Sequence, residues 1–202
     1  VHANVGVGSH IWPHGRWRID VPGEANHAGT TALDDRRDAM LGFAAAVIAA
    51  RRAAQSRGCV ATVGKVRATP NGVNAIPSEV TGWLDARGES EAAVHQVVAD
   101  VTEVMADFEA TVREESWTPT TAFDDALVRR LASRLGGIPV LGTGAGHDAG
   151  ILAGAGVRAA MLFVRNPTGI SHSPEEFAEE ADCLAGVDAL TRVLADLTGA
   201  TP

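Results

Sequence analysis

Apolar and polar positions alternate over Trp17-Arg18-Ile19-Asp20-Val21, the period of two that marks a half-buried strand, and the run stops at Pro22-Gly23. From Leu33 to Arg57 the period becomes helical: Met40, Leu41, Ala44, Val47 and Ile48 recur on one face. Asp34 and Asp35 lead this helix, Arg51, Arg52 and Arg57 close it in accord with the helix dipole, and Gly58 stops it. β-Branched Val60, Thr62, Val63 and Val66 predict a strand over Cys59–Thr69, broken by Pro70-Asn71-Gly72. A further strand lies within Ile76–Arg87, with Val80, Gly82, Leu84 and Ala86 on one face and Thr81, Trp83, Asp85 and Arg87 on the other. Ser90 caps a helix carried by Val94, Val97, Val98, Val101, Met105 and Phe108 to about Arg113. A short strand near Glu115–Thr118 completes β-α-β-β-α-β, the ferredoxin-like split motif.

The pattern changes at Pro119. Asp124–Leu135 reads as a short amphipathic helix stopped by Gly136-Gly137, and Ile138–Leu141 is a brief apolar run leading into the glycine-rich Gly142–Gly150. A small-residue helix to about Ala155 follows, then Ala159–Val164, continuous enough for a strand buried on both faces, and a closing helix over Cys183–Leu197. Two strands do not make a stable sheet, so this half reads as part of a larger α/β layer. The organisation is therefore mixed, α+β followed by α/β: residues 1–118 as one domain, with 1–14 as an incoming linker, and 119–202 as a second segment. The opening on Val1 rather than Met suggests the middle of a longer protein.

Composition narrows the function classes. With 202 residues, 46% of them hydrophobic, the chain can build one good core or two small ones. Asp and Glu number 25 against 17 Lys and Arg, with no basic stripe, which argues against nucleic acid as a partner. Cys59 and Cys183 are far apart and show no CxxC spacing, fitting reduced thiols. No early segment is apolar enough to cross a bilayer, and Val1–Pro13 lacks the form of a signal peptide, so a cytoplasmic protein without membrane contact is expected.

Candidate chemistry sits in the connections. Ala25–Thr31, ANHAGTT, places His27 between a strand and a helix, where it can point at a ligand or simply bond its own loop. In GISHSPEE, Gly169–Glu176, His172 follows the second-half strand and can bind a metal; Ser173-Pro174-Glu175-Glu176 also has the form of a helix N-terminus. GAGHDAG carries His147 and Asp148 but neither the Lys of a P-loop nor a dinucleotide spacing. Arg87 closes a strand and offers a planar fork for a carboxylate, or for a salt bridge. Pairing of the neighbouring strands would bring Asn74 and Arg87 to the same rim as His27.

The series ANHAGTT, DRRDA, PNGVNAIPSEVTGWLDAR, GAGHDA and GISHSPEE, in this order from about Trp12 to Ala195, resembles the N-carbamoyl-L-amino acid hydrolase, allantoate amidohydrolase and β-ureidopropionase group. This is the amidase branch of the co-catalytic metallopeptidases related to aminoacylase and carboxypeptidase G. The resemblance implies a metal-binding α/β catalytic domain interrupted by a ferredoxin-like lid that also forms a homodimer, and a small carbamoyl or ureido carboxylate as substrate. It further implies that His27 polarises the scissile carbonyl, that Asn74 and Arg87 bind substrate, the latter by its carboxylate, and that His172 is the last metal ligand. His147 would be a substrate or outer contact.

The resemblance also implies two divalent ions (Zn, Mn, Co or Ni) in the complete enzyme, which would supply an activated water for attack on the amide or ureido carbon, with an upstream glutamate as its base. The HxD-type ligand, bridging aspartate, paired glutamates and second ligand histidine of that pattern have no match here, and His2, His10 and His14 lie in other contexts. Ala32-Leu33 also stands where the family more often has Pro then Met. The resemblance thus points to the C-terminal portion of such an enzyme; the alternative is a non-catalytic dimerisation or binding module with a vestigial catalytic segment.

Overall fold

In the computed structural model, which describes residues 3–200, the first strand, Val5–Ile11 (β1), is not a linker. It joins a sheet with residues far along the chain, because Val7 and Ile11 are apolar and find burial there. The expected linker over 1–14 is thereby corrected for residues 5–11, while Val1, His2, Thr201 and Pro202 lie outside the described residues. The described chain divides into two compact units, one of residues 12–120 and one of 3–11 with 121–200.

In the unit 12–120, His14–Pro22 (β2) is followed by the two-residue Asn26–His27 (β3), a 3-10 turn at Leu33–Asp35, and helix Ala39–Arg57 (α1). Asp38 caps α1 at its start, and Gly58, in the left-handed region at φ 64°, at its end. Val60–Thr69 (β4), Ala75–Ile76 (β5) and Glu79–Arg87 (β6) come next. Helix Glu91–Ala106 (α2), capped by Ser90, and strand Thr111–Thr118 (β7) complete the unit. The four long strands lie antiparallel in the order β4-β6-β2-β7. β3 pairs separately with β5.

The helices differ from the sequence reading in three ways: α1 begins at Ala39, with Leu33–Asp35 a separate 3-10 turn, where a helix from Leu33 was expected. α2 stops at Ala106 rather than near Arg113, since Ala110 N–H turns back onto Met105 O and Glu109 takes φ 52°. This releases β-branched Thr111 and Val112 to pair with Asp20 and Ile19. On α1, the stripe Met40, Leu41, Ala44, Val47, Ile48 is exposed, and the buried face is Ala39, Gly42, Ala46, Ala50, Ala53 and Ala54. Small residues allow close packing: a Cβ on Gly42 would stand 2.7 Å from Val21 Cγ1. One face of the sheet, with Trp17, Ile19, Val21, Val80 and Leu84, forms the core with α1 and with Val94, Val97, Val101 and Met105 of α2.

The opposite sheet face is polar and paired. Asp20 Oδ1 accepts from Arg18 Nε (2.8 Å) and Thr81 Oγ1 (2.9 Å), and its Oδ2 accepts from Arg113 Nη2 (2.8 Å), which links β2 to both neighbours. Trp83 lies under Lys65, with Nζ 4.1 Å from the ring centre.

In the other unit, Thr121–Ala122 (β8) precedes helix Asp125–Arg134 (α3), capped by the Asp124 carboxylate. Val140–Thr143 (β9), helix Asp148–Gly154 (α4), Met161–Val164 (β10) and helix Glu180–Thr198 (α5) follow. β1 is the hub, antiparallel to β10 and β8 and parallel to β9, which gives this unit four strands where the sequence reading counted two. β10 is half-buried rather than covered on both faces, with Val164 exposed. The core gathers Val7, Ile11, Phe123, Val128, Leu131 and Val193, among others. Asp182 is fully buried on α5, its Oδ2 accepting from Arg165 Nε at 2.9 Å. Among the described residues no helix is long and apolar enough to cross a membrane.

Burial pushes the Asp20 and Asp85 carboxyls up, but the hydrogen bonds and charge of their arginine partners outweigh it and hold both below the ordinary 3.8. A carboxylate with a lowered folded pKa contributes stability that is complete above its unfolded value and is lost as pH falls through the folded one. The denaturation midpoint should therefore decline once pH drops below about 4. Asp20→Asn should flatten that decline; an unchanged acid slope in this variant would assign the acid sensitivity to other groups.

Candidate functional site

His27 is placed by a small antiparallel ribbon in which Asn26 faces Ile76 and His27 faces Ala75. Ala28 N–H then donates to Asn74 O at 2.9 Å, so the His27 and Asn74 segments are joined. Beyond His27 the chain turns back on itself: Thr31 Oγ1 donates to His27 O (2.8 Å), and Gly29 N–H donates to His27 Nδ1 (3.0 Å). The loop-bonding and site readings of this residue are thus compatible. With Nδ1 accepting, the proton of the neutral imidazole sits on Nε2, and the exposed ring presents a donor. Such a ring suits an oxyanion or carbonyl oxygen better than a metal ion, which needs a lone pair.

Arg87 is elsewhere. It is paired across the sheet with His14 and Val60, whereas the other end of its strand, Glu79, faces Pro22 and Thr69, next to the His27–Asn74 ribbon. Nine residues of strand separate the two ends by roughly 25 Å at ~3.3 Å per residue. The expectation that Asn74, Arg87 and His27 share one rim within a chain is therefore corrected: adjacent strands do pair, but Arg87 closes the far end. There its Nε and Nη2 donate to Asp85 Oδ1 (2.6 Å) and Oδ2 (2.8 Å). The Asp85 carboxylate draws the Arg87 pKa further up, so the fork is charged and held in register.

In the other unit, His147 is the N-cap of α4, its Nδ1 accepting from Ala149 N–H at 3.0 Å. It too is left with Nε2–H as its donor in the neutral form. His172 is exposed at φ 59°, an uncommon conformation for a residue with a Cβ, and its N–H donates to Glu176 Oε2 at 2.9 Å. The helix start read at Ser173-Pro174 is absent: these residues form a turn, and α5 begins at Glu180. A helix from Ser173 would set Glu175 against Glu179 and Glu176 against Glu180 at like-charged i,i+4 spacing. Ahead of His172, Asn166 organises the loop, its Oδ1 accepting from Thr168 N–H and Gly169 N–H and its Nδ2 donating to Ile170 O.

No group of three or more His, Cys, Asp or Glu that could hold a metal is found among the described residues. The residue that sequence reasoning passed over is Arg36, which donates to two carbonyls of the His27 turn. Its signal was the DRRDA motif, noted without a role.

Residues 4–196 match the model of peptidase family M20/M25/M40. The chain belongs to this family. It is 30% identical over 206 residues to an allantoate amidohydrolase of Escherichia coli K12, covering 96% of this chain and 50% of that protein. It is 32% identical over 197 residues to an N-carbamoyl-L-amino acid amidohydrolase of Geobacillus stearothermophilus, covering 92% and 47%. Among solved structures, a hydantoinase/carbamoylase-family amidase of Burkholderia vietnamiensis superposes with TM-score 0.87 at 31% identity, over 96% of this chain and 49% of that one. The chain thus spans about half the length of these M20 relatives. The same relatives bear out the resemblance read from the motifs.

Replacing Asn166 removes the acceptor that closes the turn before His172. Asn166→Ala should speed amide exchange at Thr168 and Gly169 by roughly tenfold for each 1.4 kcal/mol of lost hydrogen bonding, with the β1 amides unaffected. Unchanged exchange at these two amides would mean that the loop is held by other contacts.

Proposed function

We propose that this M20 chain serves a hydrolase acting on linear amide or ureido C–N bonds of small carboxylates, of the N-carbamoyl-L-amino acid or allantoate type. The observation that carries this reading is the His27 ring, whose Nδ1 accepts from Gly29 N–H and so leaves Nε2 as the donor of the neutral form, with its segment joined through Ala28 to Asn74. A donor held in place before reaction stabilises charge developing on a carbonyl oxygen without reorganising at the moment of reaction. The sheet within residues 12–118, antiparallel with two helices on one face, is read as a ferredoxin-like lid, and residues 119–202 as the returning part of an α/β catalytic domain. His147 offers a second donor, and Arg87, its Nε and Nη2 held by Asp85, a positioned positive charge for the substrate carboxylate.

A Zn- or Mn-type two-metal centre does not fit the described residues by themselves, since His172 stands without companion ligands. In this reading the remaining ligands and the general base come from sequence beyond these 202 residues. The 202-residue chain alone should show no turnover of carbamoyl substrates with added Zn, Mn, Co or Ni.

The distance between the His27–Asn74 end and the Arg87 end supports a homodimer in which each substrate is held by His27 and Asn74 of one copy and Arg87 of the other. The exposed stripe on α1, with Leu41 and Ile48, and the open edge of β4, with Val60 and Val66 exposed, offer the surface for it. The competing reading, a non-catalytic dimerisation module, draws on the same stripe and on the missing ligand cluster; turnover by the full-length protein separates the two.

In that protein His27→Ala should lower kcat by about 10²–10³. Arg87→Lys should raise KM roughly tenfold or more, because lysine keeps the charge but loses the two-pronged hold on Asp85 that positions it. Mixing subunits of two inactive variants, His27→Ala and Arg87→Met, should restore about a quarter of full activity, since half the dimers are mixed and each mixed dimer has one intact site. No recovery on mixing would mean that one copy builds the whole site.

A further inference from the structure

We propose that Arg36 is the positioning residue of the His27 turn, setting both the ring's tautomer and its place beside Asn74; this rests on the reading of His27 as a carbonyl-polarising donor. Arg36 is half-buried just past the 3-10 turn, within the DRRDA motif. Its Nη2 donates to Ala28 O at 2.7 Å and to Thr31 O at 2.9 Å, and its Nε donates to Thr31 O at 3.2 Å. The two carbonyls flank Gly29 and Thr30, so one planar group closes the turn from outside. Ala28 is then held from both sides, its C=O by Arg36 and its N–H by Asn74 O.

The consequence reaches the imidazole through Gly29. Its N–H is the donor that makes His27 Nδ1 an acceptor, and it points there only while the turn is closed. A Cβ at Gly29 would lie 3.1 Å from His27 Cε1 and 3.4 Å from Nδ1, so ring and backbone already touch. Opening the turn withdraws the Gly29 donor, frees the ring to exchange tautomers, and loosens the link to Asn74. Lysine is a poor replacement: a single ammonium cannot present the guanidinium's fixed spread of donors to two carbonyls.

The test reads the ring directly. Long-range ¹H–¹⁵N spectra of the 202-residue chain, recorded at a pH where the spectrum itself shows the neutral ring, should show one Nε2–H tautomer for His27, assigned by its loss in His27→Gln. Arg36→Met should give averaged, mixed-tautomer shifts, Arg36→Lys an intermediate pattern, and Gly29→Ala a displaced ring signal. In the full-length protein Arg36→Met should lower kcat by about ten- to a hundredfold while KM changes by less than about threefold. A His27 tautomer unaltered by Arg36→Met overturns the proposal, as does a kcat that falls in His27→Ala but not in Arg36→Met. If Arg36→Met scrambles the tautomer while His27→Ala leaves turnover intact, the tether stands and the carbonyl-polarising reading of His27 fails.

Discussion

The antiparallel pairing of β2 with β6, unbroken from His14 opposite Arg87 to Pro22 opposite Glu79, is the constraint on which the rest of residues 12–120 depends. Side chains alternate faces along a strand, so a slip of one residue would turn Trp17, Ile19 and Val21 outward and bury Arg16, Arg18 and Asp20. Burying those charges without partners would cost far more than the core gains, and the register is accordingly fixed from both faces. The Asp20 network reinforces it from the polar side, tying Arg18, Thr81 and Arg113 across three strands. Because the register is fixed, so are the ends: the His27 ribbon is always near Glu79, and Arg87 is always at the other extreme.

Precision at the candidate residues comes from a different source than precision in the core. His27, Asn74 and His172 are exposed, so packing cannot hold them. They depend on short polar closures: Gly29 and Thr31 on His27, Asn166 on its own loop, Glu176 on the His172 amide. Each such bond contributes only about 1 kcal/mol against the entropy of an ordered loop, so several are needed at each place. Charged donors strengthen the balance, which gives a physical reason for an arginine at position 36.

Much of this was legible in the sequence. The alternation over Trp17–Val21, the stop of α1 at Gly58 and the Ser90 cap each reported a local preference that tertiary structure left in place. The motif series placed the chain in its family, since residues chosen for chemistry keep their spacing. What was not legible were long-range matters. β1 looked like a linker because its partners β8, β9 and β10 lie more than a hundred residues away. The Ser173 turn resembled a helix start because cap signals are local, whereas the run of glutamates that opposes the helix acts a turn later. Arg87 was put on the wrong rim because thirteen residues of separation do not say how many of them run straight along a strand.

The burial pattern of α1 bears on how two copies would meet. Its inward face is alanine and glycine because the helix lies close to Val21 and Phe108, which leaves its large apolar side chains only the outward face. Leu41 and Ile48 are 66% and 52% exposed, and covering such side chains is worth about 1.5–3 kcal/mol each. The same helix packs against β4, a sheet edge whose backbone groups are open to another strand. If two copies meet along this edge about a two-fold axis perpendicular to the strands, the two β4 strands run antiparallel. Thr69 of one copy then lies toward Val60 of the other, and since Thr69 pairs with Glu79 and Val60 with Arg87, opposite ends of the two sheets become neighbours. A single association would cover the apolar stripe, close the open edge and bring the His27 end of one chain toward the Arg87 end of its partner.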